Sequence, residues 1–257
     1  MKISGKNIIL TGASSGIGLE ILKLLSQYEN VRIIAAARDI DDMTECEGVI
    51  YPFPADLSKK EGIDELFDYA QTVLGQIDIF IANAGIAYME KLDHPDWDHI
   101  QDIFALNVFS AIYSLEKIAE IRNDRNIFFA CTSSAVAIVP LSYYALYTST
   151  KSALRLFFDT YRYEKHPGVH TMVTYPIASH TTFFKKASSK ENPPLPFLRQ
   201  DPQTVAKAIV RGIELNKKKV YPSFLFRLFH MFGSVFPFVF RIYSWNEKRK
   251  VEKYLGL

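Results

Sequence analysis

Apolar and β-branched residues gather in short runs at positions 7–10, 31–36, 49–53, 77–82, 126–131 and 169–175. Between these runs, at 17–27, 60–74, 97–120 and 147–164, apolar positions recur at helical spacing with polar residues on the opposite side. Buried strands alternating with amphipathic helices predict a doubly wound α/β domain, a parallel Rossmann-type sheet with helices on both faces. The stretch from Arg38 to Gly48 is short and acidic, with room for one helical turn. After Pro176 the alternation stops: residues 177–200 hold three phenylalanines, a basic pair and Pro193, Pro194 and Pro196. A long irregular segment of this kind is expected to be a lid beside a pocket, or else an ordinary surface loop. Asp201-Pro202 then reads as an N-cap with proline at the first helical position, opening a helix to about Asn216.

A chain of 257 residues with 48% hydrophobic content can bury one large core. Lys2 to Lys6 leads directly into the first apolar run, so no secretory leader is expected. Cys46 and Cys131 have no ligand cluster around them, which predicts reduced thiols, a cytoplasmic setting and no metal site. The net charge of +2 conceals an asymmetry, because residues 217–257 carry nine Lys/Arg against two Glu. That leaves +7 on the tail and −5 on the rest of the chain. No nucleic-acid partner is expected.

The candidate chemistry lies at two places. Tyr147 and Lys151 stand four residues apart, and thus on one helical face. A nearby ammonium favours the phenolate and draws a tyrosine pKa down from about 10 toward working pH, which suits general acid–base work. Near the N-terminus, Thr11-Gly12-Ala13-Ser14-Ser15-Gly16-Ile17-Gly18 lies between an apolar run and an amphipathic helix, the setting a phosphate-binding turn requires. Alone, each feature is weak: Tyr-x-x-x-Lys arises by chance in many helices, and glycines often only close a turn. Their order and spacing add to their weight.

With these landmarks the chain resembles the single-domain short-chain dehydrogenase/reductases, over residues 5 to about 221. The resemblance rests on Thr11, Gly12, Gly16 and Gly18; Asp56-Leu57; Asn83-Ala84-Gly85; Asn107; and Ser134, thirteen residues before Tyr147, with Lys151 and Pro176. It implies a catalytic set of Asn107, Ser134, Tyr147 and Lys151. Ser134 would donate to the substrate oxygen, with Ser133 as its competitor. Lys151 would bind the nicotinamide ribose as well as tune Tyr147, and Asn107 would hold a relay water. The dinucleotide would lie against Gly12, Ser14, Ser15, Gly16, Ile17 and Gly18, with Asp56 and Leu57 at the adenine and Asn83 and Gly85 under its ribose. Pro176 and Thr181 would border the nicotinamide, with Thr182 as a fallback.

Cofactor choice turns on the end of the second strand. Ala37 leaves the usual acidic position empty and Arg38 follows, which favours NADP(H) over NAD(H). Asp39, one step later, weakens that preference. The chain departs from the family at Ala82, where an asparagine is commoner, at Ala137, and at Ile177. The last replaces a glycine and puts the local loop path in question.

Seven phenylalanines fall between Phe224 and Phe240, bracketed by Arg227 and Arg241. The segment is too short to span a bilayer, which needs about 20 residues. It either packs over the substrate cleft or an oligomer interface, or lies at an anionic membrane surface, or is disordered. The expected organisation is a catalytic domain over residues 1–222 and an aromatic, basic extension over 223–257. The expected activity is NADP(H)-dependent interconversion of a carbonyl and a secondary alcohol on an apolar small molecule, by a cytoplasmic homo-oligomer with possible contact to the inner face of a membrane. NAD-dependent alcohol oxidation by the same residues, or a non-catalytic nucleotide-binding scaffold, are the alternatives.

Overall fold

The computed structural model of the chain describes every residue except 44–47, 165, 189–192 and 257. Strands β1 (Asn7–Thr11), β2 (Arg32–Ala37), β3 (Val49–Pro54), β4 (Ile79–Ala82), β5 (Ile127–Thr132) and β6 (Val169–Thr174) fall within two residues of the apolar runs. Two pairs of residues, β7 (Ala178–Ser179) and β8 (Arg199–Gln200), form a small separate sheet inside the segment expected to be irregular. A further short strand, β9 (Lys219–Val220), joins the edge of the main sheet beside β6. The seven strands of that sheet run parallel in the order β3-β2-β1-β4-β5-β6-β9.

The helices are α1 (Gly16–Leu25), α2 (Lys60–Leu74), α3 (Trp97–Phe104), α4 (Ser110–Ile121), α5 (Ala145–Tyr163), the single turn α6 (Phe183–Lys186), α7 (Pro202–Glu214), α8 (Phe224–Val235) and α9 (Phe238–Leu255). Residues 41–43 form the one turn expected after β2, while Cys46 lies outside the described residues. As its sequence predicted, α7 begins behind Asp201, whose carboxylate accepts from the Gln203 amide.

The period of two in each strand divides the core. Ile9, Phe80, Phe129 and Cys131 point to one face of the sheet, where α2, α4 and α5 cover them. Ile8, Leu10, Ile79, Ile81 and Phe128 point to the other, under α1 and α7. On the first face the rings of Phe67, Phe80, Phe129 and Phe158 stack in a row at 5.1–5.8 Å between centroids. This double burial explains why the strand runs are continuously apolar.

The stretch expected as one helix over 97–120 is α3 and α4 joined by a π-helical segment, Ala105–Phe109. The inserted turn carries Asn107. Past β9, α8 and α9 form an antiparallel hairpin that folds back over the carboxyl ends of the central strands. Gly233 permits this crossing, since a Cβ there would run into the Phe240 ring.

Candidate active site

Strand order reverses between β1 and β4, and in open α/β sheets the crevice beyond that point receives ligands. A cavity of about 500 Å³ opens there. Every expected site residue except Asn107 lines it, from Gly12, Ser14, Ser15, Gly16, Ile17 and Gly18 through Arg38, Asp56, Leu57, Asn83 and Gly85 to Ser134, Tyr147, Lys151, Pro176 and Thr181.

One end is built for phosphate. Gly12 and Gly16 hold φ of 65° and 55°, in the left-handed region that side chains disfavour. A Cβ on Gly18 would collide with the Gly12 carbonyl. The start of α1 has no acidic residue in its first turn and no side-chain cap from Ser15, whereas Asp96, Asp201 and Ser223 cap α3, α7 and α8. Free helix-start amides facing a cavity attract an anion. The turn is fixed from below by the Thr11 hydroxyl, which accepts from the Asn83 and Ala84 amides at 3.0 and 3.1 Å. Asn83 donates to the Gly12 carbonyl and accepts from the Thr132 hydroxyl, joining β1, β4 and β5 at their ends. These residues fit a dinucleotide.

Arg38 is exposed at the rim, near enough to Asp56 to help hold its carboxyl down. Burial raises that carboxyl, but bonds from the Ser58 hydroxyl and amide, together with Arg38, leave it below the usual value. Asp39 also borders the cavity and accepts from the Asp41 amide.

At the other end β5 delivers Ser133 and Ser134, and α5 delivers Tyr147 and Lys151. Ser133 is buried, and its hydroxyl donates to the Lys151 carbonyl at 2.9 Å, pinning α5 to the strand end. The Ser134 hydroxyl bonds the Tyr147 phenol and lowers its pKa. The pair expected to compete is thus divided by geometry. Tyr143 and Tyr144 do not line the cavity; Tyr143 donates to Glu252 and Tyr144 is buried beside Phe184.

Lys151 lies with Nζ 5.8 Å from the Tyr147 ring centroid and donates to the Thr132 carbonyl at 3.0 Å. The expectation that lysine lowers the tyrosine pKa is reversed in this state. Burial pushes Tyr147 up to about 12, against the pull of Ser134, and pushes Lys151 down to about 8. Asn107 sits behind the cavity. Its Oδ1 accepts from the Ile86 amide, and its Nδ2 donates to the Ile86 carbonyl and the Thr150 hydroxyl. A Cβ on Gly85 would meet Asn107 Oδ1 at 3.0 Å and Lys151 Nζ at 3.4 Å, so glycine lets the two groups flank one small space.

Ile177 avoids the conformation its glycine counterpart would allow: among the described residues it is not one of those with positive φ. It packs with Ala135, Val139 and Phe226. Thr181 caps the following turn, accepting from the Phe183 amide, and Phe183 lies 5.6 Å from the Tyr147 ring. Sequence reasoning assigned no residues of the tail to the site, yet Phe226, Phe229 and Tyr243 form its outer apolar wall. The run of phenylalanines was a signal, without a register to say which of them turn inward.

A parallel sheet of this order, with a glycine turn and a Ser-Tyr-Lys cluster at its crevice, defines a nucleotide-binding oxidoreductase of the Rossmann type. Residues 6–192 match the sequence profile of short chain dehydrogenases, and the chain belongs to that family. Over 226 residues it is 28% identical to an Arabidopsis thaliana protein named 11-beta-hydroxysteroid dehydrogenase-like 2, covering 82% of this chain and 71% of that one. A short-chain dehydrogenase from Burkholderia phymatum in complex with NAD superposes with a TM-score of 0.78 at 15% identity, covering 93% of each chain. One from Burkholderia cenocepacia in complex with NADP gives 0.77 at 19% identity, covering 91% of this chain and 94% of that one. At such identities these two likenesses speak for the fold.

Proposed function

We propose that the protein is an NADP(H)-dependent oxidoreductase that interconverts a carbonyl and a secondary alcohol on an apolar small molecule. The observation that carries this reading is the meeting of Ser134, Tyr147 and Lys151 at one end of a cavity whose other end suits a dinucleotide. The bound nicotinamide would supply or accept the hydride. Ser134 holds the substrate oxygen and Tyr147, protonated at neutral pH, gives it a proton in the reductive direction. Lys151 returns a proton to the phenolate and is itself reprotonated from solvent through the space beside Gly85 that it and Asn107 flank. Asn107 acts chiefly as a positioning residue, holding the Gly85–Ile86 turn against α5.

Arg38 at the rim supports a 2′-phosphate partner, while Asp39 beside it favours the NAD-dependent alternative. Arg38→Asp should weaken NADPH binding and improve NADH binding in paired titrations; an unchanged ratio would remove the basis for the NADP preference. The apolar substrate class rests on Phe183, Ile177 and the wall from α8 and α9. The name of the Arabidopsis relative, which refers to a steroid, agrees with it.

The catalytic unit is residues 1–222, and residues 223–257 form an extension that closes its cleft. The enzyme is cytoplasmic and homo-oligomeric, pairing through α4 and α5, where Phe109 just ahead of α4 and Leu156 and Tyr163 on α5 are exposed. A screen of ketones of graded chain length, followed by NADPH absorbance, tests the whole reading. Rates should rise with apolar length, and inactivity across the panel with both NADPH and NADH would overturn it.

A further inference from the structure

The hairpin has two apolar faces, and the catalytic domain uses only one. Inward, Phe226, Phe229 and Tyr243 line the cavity and Phe240 packs beside them. The helix α9 is fastened to both sides of the cleft: the Ser244 hydroxyl donates to the Pro140 carbonyl, Glu252 accepts from Tyr143, and Glu247 accepts from the Phe197 amide. Outward, α8 presents Phe224, Leu225, Met231, Phe232 and Val235, spaced one, seven, eight and eleven residues from the first, as a single exposed stripe. Phe236 at the turn and Phe238, Ile242 and Trp245 on α9 extend it, each about half exposed or more. Phe224 and Val235, at the two ends of α8, are 71% and 69% exposed, so the stripe is open along its whole length.

The charges around this patch select its occupant. Arg227, Arg241 and Arg249 are exposed, and the Arg249 guanidinium lies 3.8 Å over the Trp245 ring. No carboxylate occurs between Glu214 and Glu247. Glu247 is buried and held by Lys250, and Glu252 is engaged by Tyr143 and Lys248. A second copy of the chain docked on this face would set arginine against arginine with no acid to match them. Anionic lipid headgroups supply the missing charge, and their acyl boundary receives the aromatic stripe. Among the described residues no helix is long and apolar enough to cross a membrane. The 12 residues of α8 reach about 18 Å, against about 30 Å of hydrocarbon.

We propose that the outer face of α8 and α9 docks on an anionic lipid surface, and that the apolar carbonyl substrate passes from that surface into the cavity walled by the hairpin's inner face. The docking stands on the exposed stripe and its charges alone; the substrate route rests on the function proposed above. Trp245 and Arg249 mark the headgroup level, where an indole and a guanidinium both keep one side apolar and one side wet.

The test uses the full chain and the double variant Phe232→Glu/Trp245→Glu, whose residues touch neither cavity nor cluster. The intact protein should co-sediment with phosphatidylglycerol-containing vesicles at low salt. Much less should pellet with phosphatidylcholine alone or at high salt, because exposed charges are screened over about 10 Å at 0.1 M. The double variant should stay in the supernatant, reduce a short water-soluble ketone at the wild-type rate, and lose most of its rate on a long-chain ketone carried in vesicles. Arg227→Glu/Arg241→Glu, which leaves the stripe intact, should lose the preference for anionic vesicles. Wild-type protein remaining in the supernatant with anionic vesicles would overturn the docking, even where NADPH turnover persists. So would a self-association abolished by Phe232→Glu/Trp245→Glu without vesicle binding. Co-sedimentation without turnover on any ketone would instead refute the proposed reaction and leave the docking in place.

Discussion

Burial acts on Tyr147 and Lys151 in opposite senses, raising one and lowering the other, because in each case it disfavours the charged form. For Lys151 the consequence for stability has a definite sign. Its folded value of about 8 lies below the free value of 10.5, so folding carries a penalty that is full below pH 8 and fades as pH rises toward 10.5. Lys151→Met should therefore raise the melting temperature of the cofactor-free protein at pH 7, with a gain that shrinks by pH 9.5; thermal scans at the two pH values check it. A gain independent of pH would mean that Lys151 is not held in the buried state described. At this scale the sequence located the side chains that meet in the cavity, because helical spacing and ordered distances are local quantities. It did not give their protonation, which depends on the Thr132 carbonyl, the Ser134 hydroxyl and the surrounding apolar wall. Nor did it separate Ser133 from Ser134 on physical grounds; that needed the bond from Ser133 to the Lys151 carbonyl.

Among the elements, β1 to β6 and α1, α2, α5 and α7 were legible because each is long enough to show its period. The π-helical segment Ala105–Phe109 was not, since one added residue shifts a helical pattern too little to be seen. The two-residue strands β7, β8 and β9 escape for the same reason of length. The helices α8 and α9 were hidden by a different cause: aromatic residues occupy both faces of the hairpin, so no single apolar side stands out. Gly233 is the residue on which their crossing depends. Gly233→Ala would press a methyl group into the Phe240 ring, an overpacking that costs about 1–3 kcal/mol. At about 2–4 °C per kcal/mol for a chain of this size, calorimetry should record a lower melting temperature. Because the hairpin walls the cavity, KM for an apolar ketone should rise while NADPH affinity is kept. An unchanged melting temperature and KM would show that the two helices are not packed at this crossing.

In the whole molecule, two cores on opposite faces of one sheet bring the carboxyl ends of β1, β4 and β5 to a single crevice, and the chain's last helices close over it. The nucleotide end of that crevice was legible from sequence because its parts are a local turn and the residues that follow successive strands. The apolar end was not, because Phe226, Phe229 and Tyr243 reach it from far along the chain and only the packed hairpin decides which rings face inward. The proposed reaction turns on Tyr147 passing a proton to a carbonyl oxygen held in this crevice. Its most direct test is the steady-state rate of NADPH-dependent ketone reduction by Tyr147→Phe beside the wild type, with NADPH binding measured on the same samples. The phenyl ring keeps the packing against Phe183 and removes only the hydroxyl. NADPH affinity should be unchanged and kcat lowered by roughly 10²–10⁴-fold. Wild-type kcat in that variant would contradict the proposed reaction.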